Sequence, residues 1–332
     1  MTARRAALTL AVAAALAPPR AAAEVVLKLG TLAPQGSAWH EILKTMAQRF
    51  EAASGGAVKL RIYAGGVQGN EGDMIRKMGI GQLHAAALSN VGMNDIAQEP
   101  KALSIPLFFS SEGEAACAFE RVRPAIEDAL DRRGFVVLHW TALGAIHPFC
   151  TTPRRTPEEM AGAKLFAQDG DPKAVEGWRA AGFRPVVLSS TDLVPALQTG
   201  MVDCVPSLPV YTLTARLHDR ARHMMDLGWG YMYGATLVRK DAWERIEPAV
   251  RPRLLEIARE TGRAADLEVR RLNADALVAM KGQGLVVEHV EPGPWLAAMR
   301  KAYPRVRGEV VPAAFFDALA AAREACGAGG AP

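Results

Sequence analysis

Residues 25–63, VVLKLGTLAPQGSAWHEILKTMAQRFEAASGGAVKLRIY, hold the pattern that decides the fold. The apolar run at 25–32 predicts a buried strand, and the alternation at 58–63 predicts a second one. Between them, apolar side chains recur at helical spacing from Trp39 to Phe50, which predicts a helix that ends near residue 53. Ser37 is a suitable N-cap, because its hydroxyl can accept a hydrogen bond from the first helical turn.

The same order continues after this stretch. Asn70 opens a predicted helix that ends near residue 83, and the apolar residues 85–89 predict a third strand. A β-α-β-α-β order indicates a parallel sheet with crossover helices. Because ligands of such sheets lie at the carboxyl ends of the strands, the predicted ligand-binding edge comprises the segments 31–37, 64–69 and 89–94.

The pattern then restarts, with short strands and helices in alternation. After a helix at 112–132 and a strand at 135–143, the stretch IHPFCT at 146–151 predicts a crossing to a second lobe. Thr191 is the predicted N-cap of the last short helix. The elements predicted in the second lobe are a strand at 164–167, a helix at 172–181, a strand at 185–188, a helix at 191–198 and a strand at 201–205.

Two domains follow from length as well as from pattern. The strand-like residues 227–238 predict a return crossing, and a long charged helix follows at 249–281. A chain of this length exceeds the roughly 250–300 residues at which single cores tend to split. We therefore expect an α/β protein with two doubly wound lobes, hinge crossings and a long helix spanning both. Lobe I comprises 24–145 plus 232–272, and lobe II comprises 146–231 plus 273–332.

The N-terminus has the features of an export signal. Arg4 and Arg5 precede an uncharged, alanine-rich run at 6–17, and small residues end at Ala23. This run is shorter than the roughly 20 apolar residues of a membrane-spanning helix, so residues 1–23 are the predicted cleavable signal peptide and the protein is expected in the periplasm. Removal of 1–23 reduces the 39 basic residues to 36, against 35 acidic ones, so the balance gives no indication of nucleic-acid binding.

The four cysteines lie in an oxidising compartment if export is correct. None of the spacings between Cys117, Cys150, Cys204 and Cys326 is typical of a zinc site. Four cysteines allow three pairings, and the sequence does not choose among them.

Enzymatic motifs are missing from the sequence. It contains no Gly-x-Ser-x-Gly elbow, no His-Glu-x-x-His and no phosphate-binding loop, since GGVQG at 65–69 lacks the lysine of such a loop. The seven histidines have no metal-like spacing. We therefore predict a binding protein without catalytic residues, metal or cofactor.

Five stretches, in order and spacing, resemble the DctP-like solute receptors of tripartite ATP-independent periplasmic (TRAP) transporters. The resemblance implies a two-lobed periplasmic binding protein fold, type II-like, that closes on a small ligand and delivers it to an ion-driven membrane permease. The stretches are LGTLAP at 29–34 with SAWH at 37–40, KLRIY at 59–63 with GGVQGNE at 65–71, PRRTPEEMAGAK at 153–164, ALQTGMVD at 196–203 and LVRKDAW at 237–243.

Three departures from the family pattern concern the ligand. The family places an arginine on the strand after GlK, where its planar fork holds a ligand carboxylate, but this chain has Phe166 there. A second cationic position of the family falls near Ile146, and its Glu-Asn pair is replaced by Pro206 and Ser207. Each change removes polarity or charge. The resemblance thus implies a neutral or hydrophobic ligand, because an unpaired buried carboxylate would be costly.

The predicted ligand-binding residues lie at the strand ends and the crossings, and several of them have a structural alternative. Phe166 could fill the core, Trp39 lies on the apolar face of its helix, and the aromatic stripe at 229–233 could pack at the hinge. The full set is Gln35, Trp39, Gln68, Asn90, Phe149, Phe166, Gln168, Ser207, Tyr211, Trp229, Tyr231 and Tyr233.

Two other functions remain open on these residues. One is an organic-acid receptor of the same family that uses other polar groups, and the other is a periplasmic carrier or sensor that has no permease. In each case we expect a monomer that binds a small molecule, with no nucleic acid and no direct membrane insertion.

Overall fold

The computed structural model describes residues 24–169 and 172–327. The predicted signal peptide at 1–23 therefore lies outside the described residues. Among the described helices, none combines the length and apolar character needed to cross a membrane.

The first lobe begins with the predicted β-α-β-α-β unit, and a 16-residue strand then leads out of it. The elements are β1 (Val25–Thr31), α1 (Ala38–Ala53), β2 (Val58–Tyr63), α2 (Glu71–Gly79), β3 (Ala85–Ser89), α3 (Glu112–Arg132) and β4 (Phe135–Cys150).

The second lobe and the return to the first use shorter elements, apart from one long helix. They are α4 (Pro157–Ala161), β5 (Lys164–Gln168), α5 (Pro172–Ala180), β6 (Arg184–Leu188), α6 (Leu193–Gln198), β7 (Cys204–Ser207), α7 (Pro209–Thr214), β8 (His223–Met225), β9 (Gly230–Arg239), α8 (Lys240–Trp243), α9 (Arg251–Gly282), β10 (Val286–Glu288), α10 (Pro292–Arg300), α11 (Tyr303–Arg305) and α12 (Ala313–Gly327).

Side-chain caps explain where the first helices begin. The Ser37 hydroxyl accepts from the His40 N–H at 3.3 Å, as predicted. Asn70 and Asp73 exchange hydrogen bonds in a capping box at the start of α2. The cap predicted at Thr191 is wrong: α6 starts at Leu193 after a single helical turn, and the Thr191 hydroxyl donates to Ser189 instead.

The sheet runs through both lobes in the order β2-β1-β3-β9-β4-β7-β5-β6, and β8 and β10 pair beside β4. In lobe I, β1 pairs in parallel with β2 and β3. In lobe II, β5 pairs in parallel with β6 and β7. The crossing strands β4 and β9 are antiparallel to each other from Phe135–Arg239 to Ile146–Gly230. The two predicted crossings are therefore one two-stranded hinge.

Helices cover both faces of each sheet, and α9 packs on both lobes. In lobe I it contributes Leu254 and Ile257 to the core around Leu27 and Leu29, and in lobe II it contributes Met280 to a second core. The Arg49–Glu260 ion pair also joins α1 to α9. The predicted long helix spanning both lobes is thus confirmed.

The C-terminal helix lies elsewhere than expected. Residues 273–332 were expected in lobe II, but Phe315, Phe316 and Leu319 of α12 belong to the lobe I core with Phe119 of α3. A disulfide between Cys117 and Cys326 joins the same two helices.

The second disulfide crosses the lobe II sheet. Cys150 and Cys204 are direct partners on the antiparallel strands β4 and β7 and are bonded to each other. Together the two disulfides select one of the three pairings that the sequence left open.

Candidate functional site

The carboxyl ends of the strands in both lobes point toward the hinge. In lobe I, Ser89 at the end of β3 pairs with Gly234, close to the part of β9 that crosses between lobes. In lobe II, Ser207 at the end of β7 pairs with His147, just past the same crossing. The two ligand-binding edges of doubly wound sheets therefore lie on either side of the hinge, where a ligand can be enclosed.

The glycine-rich turn after β2 is fixed to the end of β1. Gly65 N–H donates to the Ala33 carbonyl at 2.8 Å, and Gly66 N–H donates to the Thr31 carbonyl at 3.0 Å. Both glycines have φ near +70°, a conformation that side chains disfavour. The turn exposes Val67, and its neighbour Leu32 is also exposed, by 68% and 44% respectively.

Glu71 fastens this turn to the end of β3. Its carboxylate accepts one hydrogen bond from the Ser89 hydroxyl, at 2.7 Å, and another from the Ser89 N–H. Burial raises the pKa of Glu71. A Cβ on Gly92 would lie 2.3 Å from the same carboxylate, so only glycine fits there. The ends of β2 and β3 thus form one fixed wall.

On the lobe II side, Phe166 occupies the middle of β5. Its neighbours Leu165 and Ala167 are buried on the opposite face. Phe166 itself is half-buried and packs against the core cluster that includes Phe149 and Val205. It is therefore partly covered by the lobe and partly accessible.

Asp203 secures the start of β5. Its carboxylate accepts from Lys164 N–H at 3.1 Å, and its main chain bonds to Lys164 and Thr151. The Lys164 ammonium reaches the Gly200 carbonyl and lies 3.5 Å from Asp203. The Lys164 ammonium is thus bound to groups of the loop that precedes β7.

Three of the predicted polar ligand contacts already have partners within the protein. The Asn90 side chain accepts from Tyr233 N–H and donates to the Pro100 carbonyl. The Ser207 hydroxyl accepts from Thr212 and donates to the Leu208 carbonyl. Gln68 accepts from Lys77 through its side chain and its carbonyl. These side chains therefore stabilise the protein around the site through internal hydrogen bonds.

Four of the predicted aromatic contacts lie in cores. Phe149 is fully buried, and Trp229 stacks on Trp178 at 5.3 Å. Tyr233 stacks on Phe119 at 4.4 Å, and burial raises its pKa. Tyr231 packs edge-on against Phe109, and burial raises its pKa to about 12. All four side chains pack against other parts of the protein in this conformation.

The other predicted residues are more accessible. Gln35 and Gln168 are exposed, and Tyr211 on α7 is 42% exposed while burial of its remainder raises its pKa. Trp39 is half-buried, and its indole nitrogen is covered by protein atoms with no hydrogen-bond partner among the described residues.

The cations near the crossing are held by other groups. Arg154 donates to the Glu159 carbonyl, and Arg155 pairs with Glu288. Ile146, at the second position where the family has a cation, is 8% exposed. Within residues 24–169 and 172–327, no cluster of three His, Cys, Asp or Glu side chains could hold a metal ion.

Leu32 and Val67 lie in the segments 31–37 and 64–69 of the predicted ligand-binding edge but are not among the individual residues predicted to bind the ligand. The sequence placed Leu32 at the end of a buried strand and Val67 in a tight turn, whereas both side chains are exposed.

Comparison with known proteins gives consistent matches over almost the whole chain. A family described as "Bacterial extracellular solute-binding protein, family 7" (DctP) matches residues 29–309. A C4-dicarboxylate-binding periplasmic protein of Rhodobacter capsulatus is 23% identical, with 95% of each chain covered.

Solved structures share the fold. A TRAP periplasmic solute-binding protein from Xanthobacter autotrophicus Py2 with bound β-D-galacturonate has a TM-score of 0.82 at 15% identity, covering 90% of this chain and 99% of that one. One from Ralstonia eutropha H16 with bound (S)-2-acetolactate has a TM-score of 0.81 at 21% identity, with the same coverage.

Proposed function

The chain belongs to family 7 of the bacterial extracellular solute-binding proteins, and from this premise we propose that it is a TRAP receptor for a neutral or hydrophobic small molecule. It is a binding protein and not an enzyme. In the proposed cycle, the lobes close on the ligand about the β4–β9 hinge, and the loaded receptor delivers it to a membrane permease driven by an ion gradient.

The observation that carries the ligand proposal is the side chain at the carboxylate-holding position. The resemblance to the family pattern puts Phe166 there, half-buried against an apolar core, and Lys164, Arg154 and Arg155 have partners elsewhere in the protein. A buried carboxylate would have no arginine fork to pair with, which is costly. An apolar group would instead gain about 1.5–3 kcal/mol from burial against such a ring.

A second candidate has support from the relatives. The proteins with similar folds include ones crystallised with β-D-galacturonate and with (S)-2-acetolactate, which are organic acids. A receptor for such an acid would have to use the exposed Gln35 or Gln168, or the Tyr211 hydroxyl, in place of the missing arginine. A carrier or sensor without a permease would fit the same residues.

Small-angle scattering of the purified protein tests the proposal. We expect the radius of gyration to fall when a neutral, apolar ligand is added, and to stay unchanged with succinate. Contraction with succinate alone would favour the organic-acid receptor. If no ligand that raises the melting temperature also changes the scattering profile, lobe closure is wrong.

A further inference from the structure

The lobe I wall carries an apolar patch of its own, formed by Leu32 and Val67. Leu32 follows β1 and Val67 lies in the turn after β2, so both are at carboxyl ends of adjacent parallel strands. The two are exposed by 44% and 68%. Exposed apolar side chains need no explanation singly, but grouped ones at a ligand-binding edge indicate a contact surface.

Main-chain geometry holds this lobe I patch in place. The hydrogen bonds of Gly65 and Gly66 to the end of β1 fix the turn beside Leu32. A Cβ on Gly66 would lie 3.4 Å from Leu32 Cδ2, so the turn and the Leu32 side chain are in close proximity. Two adjacent glycines with positive φ therefore add no side chain beside Leu32 and leave both Leu32 and Val67 uncovered.

Lobe II has apolar groups on its own side of the hinge. Phe166 is half-buried on β5, and the ring of Tyr211 is 42% exposed on α7, which follows directly after β7. Strands β5 and β7 run in parallel, so Phe166 and the helix that carries Tyr211 belong to neighbouring parts of the lobe II sheet. Closure would bring this lobe II wall against the lobe I patch.

Four polar side chains of the two walls already have partners within the protein, whereas Gln35 and Gln168 are exposed. Asn90, Ser207 and Gln68 make their hydrogen bonds within the protein, and Glu71 is tied to Ser89. The surface offered by Leu32, Val67, Phe166 and the Tyr211 ring is hydrocarbon. Its complement is a molecule whose body is hydrocarbon on both sides, because polar groups buried there would lose their hydrogen bonds.

We propose that Leu32 and Val67 form the lobe I half of an apolar clamp, with Phe166 and Tyr211 as the other half, which selects an uncharged ligand with a hydrocarbon body. This inference rests on the proposed neutral or hydrophobic ligand, and it adds the lobe I residues that would contact that ligand. The clamp predicts that affinity increases with the length of the hydrocarbon, by about fourfold per methylene group.

Isothermal titration of 1-hexanol, 1-heptanol and 1-octanol, with succinate for comparison, tests the clamp. We expect Val67→Asp and Leu32→Asp each to weaken 1-octanol binding at least tenfold and to reduce the gain per methylene. Ile80→Asp is the matched control, because Ile80 is 71% exposed in the same lobe but lies at the far end of α2. Circular dichroism checks that all three variants fold.

The outcomes separate the two proposals. If the unaltered protein prefers longer alcohols but the Val67 and Leu32 variants bind like Ile80→Asp, the lobe I clamp is wrong and the neutral-ligand proposal stands. Failure of the unaltered protein to bind any of the alcohols overturns the clamp. If it then binds succinate, the neutral-ligand proposal is also wrong.

Discussion

The side-chain amide of Asn273 donates a 2.9 Å hydrogen bond to the carbonyl of Leu143, at the point where β4 crosses between the lobes. The amide oxygen of the same side chain accepts from Val210 N–H at 3.1 Å, at the start of α7. Here β4 has a bulge between Ala142 and Gly144, and Asp266 accepts the Ala142 N–H at 2.6 Å. The long helix thus binds the irregular part of the hinge and the ligand-side helix of lobe II together.

Loss of this bridge should weaken both stability and binding. For Asn273→Ala we expect a loss of about 1–3 kcal/mol in the free energy of unfolding, because a partly buried N–H and carbonyl lose their partner. Ligand affinity should fall as well, since α7 carries Tyr211. Urea denaturation and calorimetry measure the two effects. Ala274→Ser, at the exposed next position, is the control, and equal behaviour of both variants would contradict the bridge.

Helix α9 packs so closely on β4 that Gly262 leaves no room for a side chain. A Cβ there would lie 2.5 Å from the Trp140 carbonyl and 3.0 Å from His139 Cβ. We expect Gly262→Ala to destabilise the protein by about 1–3 kcal/mol, because the helix must move off the sheet. Gly282→Ala, in the last turn of the same helix with open space around it, should be neutral or slightly stabilising. Thermal unfolding of the two variants compares them, and similar melting temperatures would argue against the contact.

Buried His139 should make stability depend on pH. Burial lowers its pKa from 6.5 to about 4, and its Nε2 lies 2.9 Å from the Thr236 hydroxyl. The unfolded chain therefore binds a proton between these values and the folded protein does not, so stability is complete above pH 6.5 and decreases as the pH falls toward 4. The full loss is about 3 kcal/mol.

Chemical denaturation at pH 4.5, 5.5 and 7 tests this dependence. His139→Gln should flatten the decrease in stability between pH 6.5 and 4. His289→Gln serves as the control, because His289 is exposed and its hydrogen bond with Asp226 raises its pKa instead. An unchanged slope in His139→Gln would show that other groups cause the effect.

The disulfide between Cys117 and Cys326 should stabilise lobe I by holding α12 on α3. We expect Cys326→Ala to reduce the free energy of unfolding by about 2–5 kcal/mol, since the closed loop is long. Peptide mapping under non-reducing conditions identifies the linked peptides. Recovery of Cys117 as a free thiol from the native protein would refute this pairing.

Substitution at Phe166 should change the class of ligand. Phe166→Arg is expected to weaken a hydrophobic ligand by about tenfold to a hundredfold, corresponding to about 1.5–3 kcal/mol of lost burial. It should also admit a carboxylate, since a guanidinium can hold one through two hydrogen bonds. Calorimetry with 1-octanol and succinate measures both changes. Phe166→Leu keeps an apolar side chain and should still bind 1-octanol. If the Phe166→Leu and Phe166→Arg variants both lose binding, Phe166 serves only to pack the lobe.

Local patterns were enough to predict most elements of this fold. The strands at 58–63 and 85–89 and the helix at 112–132 have the predicted bounds, because periodicity and caps act within a few residues. The strand predicted at 201–205 lies instead at Cys204–Ser207, since its register is set by pairing with β4. The lobe to which α12 belongs also depends on distant contacts.

The site was harder to predict than the fold. Asn90 looked available for a ligand, but its partner Tyr233 is 143 residues away in the chain, and no local pattern shows that pairing. Trp229 and Phe149 looked like cleft residues because they lie in the crossings, yet the crossing strands place them in lobe cores.

Mass spectrometry of the small molecule extracted from freshly purified, natively folded protein tests the central claim most directly. We predict an uncharged molecule with a hydrocarbon body, bound in a one-to-one ratio and displaced by 1-octanol. Stoichiometric recovery of a carboxylic acid such as a dicarboxylate or a uronic acid would contradict the account, because it would require a charged partner that the Phe166 wall does not provide.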